Sequence, residues 1–160
     1  MKMKSVRYII RAAIIAGLYA VLTYLLKPIS YGPVQVRVSE VLTLLPLIER
    51  SAVPGLFVGC FLANLLGGLG PWDVYGGSFI TLLAAYLTSR MPNPFLGAIP
   101  PIVLNALGVS YYLSLLYGMP YTITAAYIGL GEFIAVGLLG IPLLFFIRRT
   151  GLMRYFDKTE

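Results

Sequence analysis

The sequence predicts an all-α integral membrane protein, a bundle of six helices forming one membrane domain over residues 1–160. Three observations carry that reading. The 160 residues are 59% hydrophobic and only 11% charged, with a mean hydropathy of +0.86. A soluble domain has about 25% charged residues, so there are too few charges here to coat a water-facing surface. Several apolar runs approach or reach the roughly 17–25 residues that a bilayer crossing requires. These runs do not alternate apolar with polar residues, as the strands of a transmembrane barrel do.

The elements follow in order. The N-terminal stretch MKMKSVRYIIRAAIIAGLYAVLTYLL has too long an apolar run for a signal peptide and no A-x-A-like cleavage site followed by polar sequence. It is read as a first helix over about 5–26, stopped by KPISYGP. The second helix, about 38–48 with Ser39 as candidate N-cap, is short. At about 1.5 Å per residue its 11 residues reach roughly 16 Å, half a hydrocarbon core. Either the preceding YGPVQVRVSE folds inward from outside, or neighbouring helices shield this one. Non-helical backbone at membrane depth is tolerated only inside protein or beside a water-filled cavity. The third helix (about 52–66) ends at GGLGPWD, and the fourth (about 74–88) at SRMPNP. The fifth (about 96–116) ends at YGMPY, and the sixth covers about 122–147. No internal repeat or low-complexity tract interrupts them.

Charge sets an orientation. Six spans put both termini on one side. Lys2, Lys4, Arg7, Arg11, Arg50, Arg90, Arg148, Arg149, Arg154 and Lys158 share that side, ten of the twelve basic residues; Lys27 and Arg37 do not. The positive-inside rule makes the shared side cytoplasmic. The net charge of +6 is read as a topology signal and lipid contact, not as nucleic-acid binding.

The remaining polar residues collect in the outer half and at the midplane: Arg37, Glu40, Asn64, Asp73, Asn105 and Glu132. A carboxylate at bilayer depth costs at least about 2.5 kcal/mol on insertion scales, so each is a candidate functional residue. Plainer roles stand beside this one. Arg37 and Glu40 fit a mutual ion pair, Asp73 a helix N-terminus, and the two asparagines interhelical hydrogen bonds. Glu132, about ten residues into its helix, has no cation near it in sequence. Of the aromatic residues on this side, most fit interfacial anchors. Trp72, beside Asp73, and Tyr112, two turns from Asn105, are placed to meet a flat ligand.

Small residues mark the first helix. Ala12, Ala16 and Ala20 recur every four residues, with Ala13 and Gly17 in a parallel row. Such rows admit close helix approach, from within the bundle or from a partner protein on the cytoplasmic side. The chain contains one cysteine, Cys60, and no histidine, which excludes an intrachain disulfide and histidine-based acid–base or metal chemistry. It shows no nucleophile–base pair and no P-loop, so an enzyme is the least fitting class, and no cofactor is expected.

The stretches VQVRVSEVLTLLPL, PGLFVGCFLANLLGGLGPWDVYGGSFITLLAAYLT and GLGEFIAVGLLG resemble the QueT family. That family lies among the substrate-binding S-components of energy-coupling factor transporters. The resemblance covers nearly the whole chain and implies several things. The fold would be the six-helix S-component bundle in the cell membrane, with both termini cytoplasmic. The ligand would be a queuosine precursor, a 7-deazaguanine, captured in an outward-facing pocket. The partners would be a transmembrane coupling subunit, docked on the Ala12–Ala16–Ala20 stripe, and two ATPase subunits that hydrolyse the ATP. An S-component for another vitamin or flat heterocycle, and a membrane scaffold without ligand, are the alternatives.

Overall fold

The computed structural model describes residues 3–31, 36–68 and 70–150. All regular structure in them is helical. α1 (Met3–Leu25) is followed by a single turn, α2 (Lys27–Ser30), and by a 3₁₀ helix (Val38–Leu47). Next come α3 (Ala52–Gly67), α4 (71–88), α5 (Pro94–Tyr117) and α6 (Tyr121–Thr150). These are seven helical elements among the described residues, where the sequence leads one to expect six. The addition is α2: Pro28 ends the α1 ladder, but its fixed φ and missing N–H suit the first turn of a new helix. Val6–Leu25, Pro94–Tyr117 and Tyr121–Thr150 are each long and apolar enough to cross a membrane. The protein is therefore a helical membrane protein. Residues 32–35, on the approach to the 3₁₀ helix, lie outside the described residues, as do Lys2, Arg154 and Lys158.

The 3₁₀ helix is the hub of the bundle. It packs against α1, α3, α4, α5 and α6, and buries Ser39, Glu40, Leu42, Thr43, Leu44 and Pro46. Its ten residues rise about 2.0 Å each and so span roughly 20 Å, further than α geometry allows. Long 3₁₀ runs are uncommon because their hydrogen bonds are poorly aligned. Here five neighbouring helices hold one in place, as shielding by neighbours requires; the alternative, an inward fold of the preceding stretch, falls on residues 32–35, outside those described.

α1 lies along α3 at backbone contact. A methyl group added at Gly55 would stand 2.8 Å from the Ala12 carbonyl oxygen, and one at Gly59 would stand 2.8 Å from Tyr19 Cβ. Ile15, Tyr19 and Ala20 thereby join Leu56, Cys60 and Ala63 in one core cluster. The consequence for α1 is specific. Ala16 and Ala20 are buried inside the bundle, Ala12 is half-buried, and Ala13 and Gly17 are exposed. The alanine stripe expected to receive a partner is thus largely occupied by α3.

α5 shows how sequence sets local structure. The Asn93 side chain accepts a hydrogen bond from Leu96 N at 2.9 Å, with Pro94 in the first turn. Further along, Pro100 and Pro101 have no N–H for the preceding turn. The carbonyl of Gly97 is met instead by Thr88 Oγ1 of α4 at 2.9 Å. α3 and α5 both end on glycines in the left-handed region, Gly68 (φ 69°) and Gly118 (φ 64°), where a side chain would be strained.

Candidate functional site

The helices depart from α geometry where the buried carboxyl and amide groups sit. Asp73 opens a π-helical segment of α4, Asp73–Gly77. Asn105 opens another in α5, Asn105–Val109. Glu132 immediately precedes a third in α6, Phe133–Gly140. Glu40 lies on the 3₁₀ helix. π turns are rare and are frequently found at functional sites, because the widened turn re-aims a side chain. Each of these three segments contains glycine: Gly76 and Gly77, Gly108, and Gly137 and Gly140. Those glycines are the one sequence signal that points to them.

These groups are buried. Glu40, Asn64, Asp73, Asn105 and Glu132 are all nearly inaccessible, and Arg37 is 7% exposed. Arg37 interacts electrostatically with Tyr19, Glu40 and Tyr112. Its field also acts on Asp73 and on Glu132, which in turn senses Glu40. Arg37 is thus the cation whose charge reaches Glu40, Asp73 and Glu132 alike.

Hydrogen bonds hold one side of several of these groups. Tyr19 OH donates to Glu40 Oε1. Asn105 Nδ2 donates to Glu132 Oε1 at 3.0 Å. Tyr112 OH donates to Asp73 Oδ1 at 2.9 Å, and Asn64 Nδ2 donates to the Asp73 carbonyl at 2.7 Å. A methyl group added at Gly77 would sit 3.2 Å from Asn64 Nδ2 and 3.5 Å from Tyr112 OH, so the bare backbone there makes room for this network. Arg37 lies over the Tyr31 ring at 5.6 Å, and Tyr31 OH is tied to the Ala63 carbonyl at 2.7 Å.

Some polar atoms of this cluster are left unmet. Arg37 Nε, Glu40 Oε2, Asn64 Oδ1 and Glu132 Oε2 are buried and have no hydrogen-bond partner among the described residues. Leaving such an atom unsatisfied costs about 1–3 kcal/mol, more for a charged group. The four offer three acceptors and one donor to whatever meets them.

The expected site residues divide accordingly. Arg37, Glu40, Asn64, Asp73, Asn105, Tyr112 and Glu132 come together. The ion pair considered for Arg37 and Glu40 is not formed: among the described residues Glu40 bonds to Tyr19 instead. Tyr112 and Asn105, expected to share a ligand face, hydrogen-bond to different helices. A π segment lies between them; Asn105 donates to Glu132 of α6, while Tyr112 donates to Asp73 of α4 and packs with Ile128 of α6. Trp72 is 58% exposed and stands apart from the buried groups, as an interfacial anchor would. Two contributors are not evident in the sequence. Tyr19 looks like part of an apolar span, although it shares the inner face of α1 with Ile15, Ala16 and Thr23. Tyr31 looks like part of a loop. Thr23 Oγ1 and Ser39 Oγ, 2.6 Å apart, add a further tie between α1 and the 3₁₀ helix.

The family model described as QueT transporter matches residues 9–149. A curated relative from Lactococcus lactis subsp. cremoris (strain MG1363), named queuosine precursor transporter QueT, is 37% identical over 86 residues. That alignment covers 52% of this chain and 50% of the relative, so the chain spans about half the length of the curated relative it matches. No solved structure matches. With the match running through nearly every helix described above, the chain belongs to the QueT transporter family.

Proposed function

We propose that this protein is the substrate-capture subunit of an energy-coupling factor importer. It would bind a queuosine precursor, a 7-deazaguanine such as preQ1 or preQ0, in the buried cluster around Arg37, Glu40 and Glu132. The observation that carries this reading is the set of four open atoms: Glu40 Oε2, Glu132 Oε2, Asn64 Oδ1 and Arg37 Nε. A 7-deazaguanine is rich in donors. It presents N1–H, an exocyclic NH₂ and a pyrrole N–H, with one prominent carbonyl acceptor. Three acceptors and one donor complement that pattern. Carboxylates strengthen such bonds roughly twofold over neutral acceptors, and the guanidinium would meet the carbonyl. The family and the relative's name support the same ligand class.

The transport cycle is part of the proposal. The six-span topology, cytoplasmic termini and an outward-facing site rest on the clustering of basic residues at one end. The partners are a transmembrane coupling subunit and two ATPases. On α1 the face free to dock includes Ala13 and Gly17, beside the half-buried Ala12. A scaffold without ligand fits less well, because it leaves four buried polar atoms with no purpose. Isothermal titration of the purified protein with aminomethyl- and cyano-7-deazaguanine, and with unrelated flat heterocycles, tests the reading. Saturable binding of the deazaguanines alone is the expected result. Binding of another heterocycle instead would transfer the site to that ligand.

A further inference from the structure

A cavity, separate from the buried cluster, opens at the arginine-rich end. It has a volume of about 720 Å³ and is bordered by Tyr8 of α1, Leu47, Arg50 and Val53 of the connection into α3, and Tyr86 and Arg90 at the end of α4. Its charge is unbalanced. Glu49 faces it too, but Arg11 meets that carboxylate at 2.9 Å, and Ser51 N and Oγ each donate to it at 2.9 Å. Among the described residues that line the cavity, Arg50 and Arg90 are the cations and Glu49, already met by Arg11, is the one anion. Arg90 donates to Tyr86 OH at 3.1 Å and lies 5.0 Å above its ring, a contact that leaves its charge unneutralised. Arg50 is exposed.

The walls are of two kinds. Leu47 and Val53 give an apolar inner surface, while Tyr8 and Tyr86 stand exposed at the rim. Ile9 and Ile10 follow Tyr8 on α1 and Leu83 lies about one turn before Tyr86 on α4; all three are exposed, which gives both helices an apolar slope beside the cavity residues. Two cations, two exposed tyrosines and an apolar slope beside them match an amphiphile with an anionic head. An acidic peptide would match the charge but not the apolar slope.

We propose that this cavity binds the headgroup of an acidic phospholipid, with Arg50 and Arg90 on the phosphate and the acyl chain lying along the exposed flanks of α1 and α4. The proposal is independent of what the buried cluster binds, and it holds for whichever leaflet this end faces. Native mass spectrometry of the full chain in detergent, with equimolar phosphatidylglycerol and phosphatidylcholine, tests it. Wild-type protein should retain phosphatidylglycerol preferentially. Each arginine near an anionic headgroup is worth about fivefold in affinity, so Arg50→Gln with Arg90→Gln should lower that preference by roughly 25–30-fold. Circular dichroism should be unchanged, because both side chains are exposed; Arg50→Gln alone should give about the fivefold step. Equal retention of the two lipids by the wild type would overturn the proposal, as would a preference that survives in the double variant. Displacement of the lipid by millimolar inorganic phosphate would reassign the cavity to free anions and overturn it as well.

Discussion

Asn105 and Glu132 join α5 to α6 through a 3.0 Å hydrogen bond, at the points where both helices widen into π geometry. The bond holds Oε1 of the carboxyl group and leaves Oε2 buried and open. Glu40 repeats the arrangement: Tyr19 holds one oxygen and the other is free. A carboxyl group held by one oxygen has its second oxygen oriented in advance, which would suit the ligand proposed above. Preorganisation of this kind raises affinity by reducing the ordering cost of binding.

The burial of Ala16 separates docking from folding. The two helices leave so little room that even a methyl group on Gly59 would stand 2.9 Å from the Ala16 carbonyl oxygen. Ala16→Leu should therefore push α1 off α3 and lower the thermal unfolding midpoint. A methyl group added at Gly17 would meet nothing within 4 Å, so Gly17→Trp should fold normally. If α1 receives the coupling subunit, Gly17→Trp should abolish its co-purification while ligand titration stays unchanged. Retained assembly in Gly17→Trp would move the docking face off α1.

Thr88 carries a measurable share of stability. Its hydroxyl is the donor to the Gly97 carbonyl, which Pro100 and Pro101 leave without a helical N–H. Thr88→Val keeps the shape and strands that carbonyl, so unfolding should become easier by about 1–3 kcal/mol. Ligand affinity should not move. A chemical or thermal unfolding series on the two proteins reads the difference, and an unchanged midpoint would show that another group meets the carbonyl.

Glu49 should give the fold an acid-sensitive contact. Burial raises its pKa, but the bonds from Ser51 and the charge of Arg11 outweigh burial and hold it below the ordinary carboxylate value. A carboxylate depressed in the folded state stabilises above its unfolded pKa, and the contribution fades as pH falls through the folded value. Stability should therefore decline on acidification below about pH 4.5, the ordinary carboxylate value, and this part of the decline should be missing in Glu49→Gln. Parallel acid-unfolding curves for the two proteins would exclude this role.

Much of the site is legible in the sequence because polar residues are rare in it. In an apolar chain, Glu40, Asp73, Asn105 and Glu132 announce themselves by the cost of burying them. Their mutual arrangement is not legible. A seven-residue spacing puts Tyr112 over Asn105 only if the helix between them is α throughout, and the π segment at Asn105 breaks that phase. Tyr19 is hidden for the opposite reason: a tyrosine in an apolar run looks like any interfacial aromatic until its helix face is known. The one-turn α2 escapes notice because proline both stops one helix and starts another. The alanine stripe is visible, but which neighbour it meets depends on Gly55 and Gly59, more than thirty residues away.

Replacement of Glu132 tests the proposed ligand site directly. Glutamine keeps the shape of the side chain, and its carbonyl can still accept from Asn105 Nδ2. Its amide nitrogen then takes the place of Oε2, the open atom. Where the carboxylate would accept from a ligand N–H, the amide presents a second donor, and the two donors oppose each other out of water. An unsatisfied buried polar group costs about 1–3 kcal/mol, and more when charged, with about 1.4 kcal/mol per tenfold in affinity. Glu132→Gln should thus weaken 7-deazaguanine binding by roughly ten- to a few-hundred-fold. Stability without ligand should hold or improve, because a buried acid has been replaced by a neutral group. Titration with the aminomethyl and cyano ligands distinguishes two modes. Equal losses for both place Glu132 on the shared guanine-like edge. A loss confined to the aminomethyl ligand makes it the partner of the ammonium group and leaves the edge to Glu40 or Asp73. Wild-type affinity for both ligands in the glutamine variant would remove Glu132 from the site.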